Sequence, residues 1–101
     1  MSTTTTTPRI KTFRQYVEDA RDSAARKHGI TKAEAARELP DHRYEAEWRD
    51  HVVKAFNEGG DIPTALWRSL DEGLQYRILR SPRALRDDAL THDLRRKAVP
   101  A

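Results

Sequence analysis

Between Tyr44 and Phe56 the large apolar side chains recur every four residues, as Tyr44, Trp48, Val52 and Phe56, with Val53 and Ala55 widening the stripe. After the polar Asn-Glu-Gly-Gly-Asp run at 57–61 the rhythm resumes as Ile62, Leu66, Leu70, Leu74 and Ile78, flanked by Trp67 and Leu79. Spacings of three and four bring side chains to one face of a helix, because a turn takes ~3.6 residues. Two such faces joined by a short Gly-Gly turn predict an antiparallel helical hairpin over residues 44–79. Five of the seven aromatic residues fall in that window, which assigns it most of the large-area burial.

The flanking segments carry the same period. Thr12 and Gln15 have the form of a capping box, in which each side chain satisfies a backbone N–H left open by the first helical turn. Phe13, Tyr16, Val17, Ala20 and Ala24 follow, up to a Lys27-His28-Gly29 stop with glycine at the left-handed cap. That face begins aromatic and ends in alanine, so its second half must approach another helix closely. Thr31 and Glu34 form a second capping box opening a short alanine-rich helix, which Pro40 ends after Leu39. A third helix is expected from about His42 to Glu58, and a fourth from an Asp61 cap, with a kink or interruption near the Ser69-Leu-Asp-Glu-Gly73 run. Ser81-Pro82 restarts the chain as a last amphipathic helix through Leu85, Ala89, Leu90 and Leu94. Nothing alternates with period two for long, so no strand is predicted. The expected fold is all-α: a single small domain of four to five short helices around the hairpin. It would span residues 12–97, between a flexible Thr-rich tail at 1–11 and a C-terminal tail at 98–101.

Length and composition narrow this further. The 101 residues hold one modest core. Charged residues make up 35% of the chain and hydrophobic ones 37%, which is polar for a globular protein but short of what disorder requires. The chain lacks cysteine, which excludes a disulfide scaffold and thiolate chemistry and fits a cytoplasmic protein. No stretch approaches the ~20 apolar residues of a membrane helix, and Thr and Pro stand where a signal peptide has its apolar run.

Enzyme signals are weak: there is no Gly-rich phosphate loop, nucleophile elbow or zinc-protease helix motif. The four histidines, His28, His42, His51 and His92, are scattered. Glu47 and His51, with Asp50, share a helical face, but a tetrahedral metal site wants three or four ligands, so a surface ion pair is the expected arrangement. No catalytic residue, metal or cofactor is expected.

Charge distribution says more than the net +3. Residues 1–14 carry Arg9, Lys11 and Arg14 and no acid. Residues 15–75 hold nine basic and thirteen acidic side chains, whereas residues 76–101 hold seven basic and three acidic. An acidic body with basic ends points to a polyanionic partner or to an acidic protein surface. Fourteen arginines against five lysines suit two-pronged recognition of phosphate or carboxylate, although codon bias in a GC-rich genome produces the same excess.

Residues 30–39, Ile-Thr-Lys-Ala-Glu-Ala-Ala-Arg-Glu-Leu, resemble the first helix of a helix-turn-helix, with Ala36 at the helix crossing and Leu39 three residues later. The pattern is then departed from. Pro40 stands where the turn has glycine and Asp41 where an apolar residue is expected, and the would-be recognition helix sets Glu45, Glu47 and Asp50 against Arg43 and Arg49. Such a helix meets dense negative charge in the major groove. The stronger candidate is therefore the basic C-terminal segment: Arg77, Arg80, Arg83 and Arg86 as a three-residue ridge, then Arg95, Arg96 and Lys97. The expected function is a small non-enzymatic nucleic-acid-associated regulator, contacting phosphates through its basic ends. The alternative is an adaptor or inhibitor docking an acidic protein surface. A core this small invites a homodimer under either reading.

Overall fold

The computed structural model describes residues 9–98, and these are all-helical, with no strand among them. Seven α-helices are present, α1 (Phe13–His28), α2 (Lys32–Glu38), α3 (Glu45–Asn57), α4 (Thr64–Ser69), α5 (Glu72–Leu79), α6 (Pro82–Arg86) and α7 (Asp88–Ala98), with a 3-10 helix at Asp41–Tyr44. The count exceeds the expected four to five because both C-terminal helices are cut. No described helix is long and apolar enough to cross a membrane. The chain divides into two compact units, Lys11–Asp50 and the combination of Met1–Ile10 with His51–Ala101, and passes from one to the other within α3.

In the Lys11–Asp50 unit, α1 opens on the expected capping box. The Thr12 hydroxyl accepts from the Gln15 N–H at 3.2 Å, and the Gln15 amide oxygen accepts from the Thr12 N–H at 3.1 Å. α1 closes on Gly29 at φ +65°, a left-handed turn that lets the Ile30 N–H return to the Ala25 carbonyl at 3.0 Å. Thr31 caps α2 through the Glu34 N–H, but Glu34 bonds to the Thr31 hydroxyl rather than to its backbone, so this box is only half closed. α1 packs on α2, with Ala25 and Ala35 both buried, whereas Ala20 and Ala24, the expected alanine face, are half-buried. The third helix begins later than His42: residues 41–44 wind as 3-10 helix after Pro40, and the α-helix starts at Glu45. Tyr44 and Trp48 are buried. The Trp48 indole N–H donates to the Lys11 carbonyl at 2.9 Å, and its ring meets Phe13 edge-on with centroids 5.4 Å apart. Arg21 binds the Leu39 carbonyl through both Nε and Nη2 (2.9 and 2.7 Å) and Asp41 at 2.8 Å, which closes the C-terminus of α2. Lys11 also pairs with Asp19 at 2.8 Å.

The other unit buries the rest of the stripe: Val52, Ala55, Phe56, Ile62, Leu66, Trp67, Leu70, Leu74 and Ile78, joined by Ile10, Ala84 and Leu94. α4 packs on α7, α7 on α6, and α6 on α5. Helix α4 starts at Thr64, capped by Pro63 rather than Asp61. The interruption expected near Ser69 falls at Leu70, whose extended backbone (ψ 139°) ends α4. Asp71 then caps α5 by accepting from the Leu74 N–H at 2.8 Å. A second break at Asp87 separates α6 from α7 and resets the helical register. Ala84 is therefore buried, whereas Leu85, expected on the apolar face, is 68% exposed. Of the segments read as tails, residues 1–8 and 99–101 lie outside the described residues.

Candidate nucleic-acid interface

Six of the seven basic residues of the C-terminal segment lie on three helices, Arg77 on α5, Arg83 and Arg86 on α6, and Arg95, Arg96 and Lys97 on α7, and Arg80 caps the C-terminus of α5. Because the chain turns at Ser81, the three-residue spacing of the first four is divided between two helices.

Arg83 points inward. Its Nη1 donates to the carbonyls of Phe56 and Gly60, both at 2.7 Å, and its guanidinium lies 4.6 Å from the Phe56 ring centre. The Arg83 backbone N–H in turn donates to the Asn57 side-chain oxygen at 3.0 Å. Gly59 at φ +108° turns the chain so that the Gly60 N–H reaches Ala55. One side chain therefore closes the C-terminus of α3, where unpaired carbonyls and the negative end of the helix dipole both favour a cation.

Lys97 is also partly committed, its Nζ lying 3.4 Å from both the Ile62 carbonyl and Asp93. Arg96 is exposed and pairs with Asp93 at 3.2 Å, and Arg95 is exposed on the same turn. Arg68 on α4 donates from Nε to the Lys97 carbonyl at 3.0 Å, which adds a fourth cation to this end of α7. Arg86 is exposed at the end of α6. Arg77 on α5 and Arg80 at its C-cap are both exposed, and the Arg80 guanidinium lies over the Tyr76 ring, 5.2 Å from its centre.

The structure thus brings Arg95, Arg96 and Lys97 together and keeps Arg77 and Arg80 adjacent. Arg83 is half-buried and turned onto the end of α3. Arg68 and Tyr76 were not singled out by the charge pattern. Both are off the apolar register, since residues 66, 67 and 70 flank the first and 74 and 78 the second, which is the signal that places them outward. Tyr76, counted with the core aromatics, is 60% exposed.

The helix-turn-helix candidate presents the opposite charge: Glu45, Glu47 and Asp50 are exposed along the start of α3. Tyr16 hydrogen-bonds to Glu47, and burial, together with that carboxylate's charge, pushes the Tyr16 pKa above the usual tyrosine range. A cleft of about 560 Å³ in the same unit is lined by Ile30, Leu39 and Tyr44 with His28, Glu38, Arg43 and Glu47, a mixture of signs that selects no single ligand charge. Among the described residues no group of three His, Asp or Glu side chains is placed to hold a metal ion. The chain matches no protein-family model, no curated protein and no solved structure.

Proposed function

We propose that the protein is a non-enzymatic nucleic-acid-associated regulator that tracks phosphates through exposed arginines on and beside α5, α6 and α7: Arg77, Arg80, Arg86, Arg95 and Arg96. The observation that carries this reading is the gathering of Arg68, Arg95, Arg96 and Lys97 at one end of α7, where Asp93 pairs with Arg96 and Lys97. Arginine forks at such a cluster suit phosphate oxygens. Arg83 has a structural role in this reading, because its Nη1 is already given to Phe56 and Gly60.

The test is the salt dependence of binding to duplex DNA. With four to five phosphate contacts, log K should fall against log salt with a slope of roughly −3.5 to −4.5, at ~0.9 per contact. Replacing Arg95 and Arg96 together should flatten the slope by up to ~2 and weaken all sequences alike. Absence of binding even at low salt defeats the proposal. The second reading, an acidic protein partner, is favoured by Leu85, which stands 68% exposed one residue from the exposed Arg86. An uncovered apolar side chain beside arginine is the composition of a protein interface core.

A further inference from the structure

Tyr76 is the only aromatic residue exposed to solvent among the described residues. Arg80, one helical turn on, lies over its ring at 5.2 Å in a cation–π contact. Gly73, three residues earlier and exposed, has no side chain to shield the ring from that direction. Arg77 stands next to it, exposed on the same short helix. Glu72 lies one turn towards the N-terminus and is also exposed, so phosphate is repelled at that end of α5 and drawn to the arginine end.

We infer that Tyr76 and Arg80 form a base-stacking site for single-stranded nucleic acid, with Arg77 and Arg80 receiving the adjoining phosphates. The inference rests on the nucleic-acid reading above and specifies its substrate. A tyrosine ring recognises the flat face of a base, and inside a duplex that face is already covered by its neighbours. Unpaired DNA and unpaired RNA share the base face and the phosphate, so the 2′-hydroxyl is what separates them.

Isothermal titration of the full chain at low salt against a short oligodeoxyuridylate, the matching oligouridylate and a duplex tests the site. Tyr76→Ala should weaken both single strands by about ten-fold, the effect of losing one stacked base, and leave duplex affinity unchanged. Tyr76→Phe should retain wild-type binding to all three, since the ring rather than the hydroxyl is used. Arg80→Ala should weaken the single strands and flatten their salt slope by about 0.7. Circular dichroism establishes that each variant is folded, as expected for exposed positions. A clear preference of the wild type for one of the two single strands assigns the site to RNA or DNA, and either assignment supports it. If Tyr76→Ala binds single strands like the wild type, or weakens single strands and duplex equally, the stacking site is overturned while the phosphate-tracking function stands. If the wild type binds neither strand nor duplex, both fall, and binding to polyglutamate instead would assign these arginines to an acidic protein partner.

Discussion

Trp67 is fully buried, and its indole N–H has no hydrogen-bond partner among the described residues. An orphaned buried donor costs about 1–3 kcal/mol, so Trp67→Phe trades that penalty against a smaller ring and should leave stability within ~1 kcal/mol of wild type. Trp67→Ala, which empties the site, should cost ~3–5 kcal/mol. Trp48 behaves differently, because its N–H is bonded to the Lys11 carbonyl. Trp48→Phe should therefore cost more than Trp67→Phe, by about 1 kcal/mol. Urea denaturation of the pair checks the order, and the reverse order would contradict the hydrogen-bond assignment. Tyr16 supplies a pH signature. Its folded-state pKa is raised, so the neutral phenol is favoured in the fold, and its contribution is intact below the unfolded value of about 10. That contribution is lost as pH rises through the higher folded value. Thermal melts above pH ~10 should thus lose less stability in Tyr16→Phe than in wild type.

At the level of elements, most caps were legible, although Asp61 does not cap α4, and the break near Ser69 was legible whereas the one at Asp87 was not. The Thr12–Gln15 box, the Gly29 stop and the Pro40 stop follow from backbone groups that must be satisfied within a few residues, so the local sequence specifies them. The stripe from Tyr44 to Ile78 was equally legible, because burial follows its register. The interruption at Asp87 was harder to place. An aspartate caps a helix or sits on a helix surface with the same neighbours, and only tertiary packing decides which. The candidate site was legible as a charge segment, but its division of labour was not. Arg83 and Arg86 are alike in sequence, yet Arg83 closes α3 through carbonyls 27 and 23 positions away. Arg83→Met, which keeps the stem and removes the donors, should cost about 2–3 kcal/mol, in line with hydrogen bonds to a charged group. Arg83→Lys should recover little, since one ammonium cannot both stack on Phe56 and span two carbonyls. Arg86→Met should be neutral to within ~0.5 kcal/mol. Chemical denaturation of the three variants distinguishes the caps from a solvated charge.

For the whole molecule, α3 is the one helix that contributes residues to both compact units. The Lys11–Asp50 unit is close to the ~40-residue length below which a chain without disulfides or metal rarely folds alone. Its buried set is correspondingly small: Val17, Ala25, Ala35, Tyr44 and Trp48. Prepared as a separate peptide it should show low helicity by circular dichroism, whereas the intact chain should unfold in one transition. Asp50→Pro, placed where the chain crosses between units, should cost ~3 kcal/mol and split that transition. The placement of the two tryptophans makes the split visible without a label. Each unit contains one indole, and their surroundings differ: Trp48 is bonded to a carbonyl, whereas Trp67 is sealed in an apolar interior. An indole excited in apolar surroundings emits at shorter wavelength than one whose N–H is bonded to a polar acceptor. The emission band should thus be a sum of two colours, and red-edge excitation should follow the Lys11–Asp50 unit while the blue side follows the other.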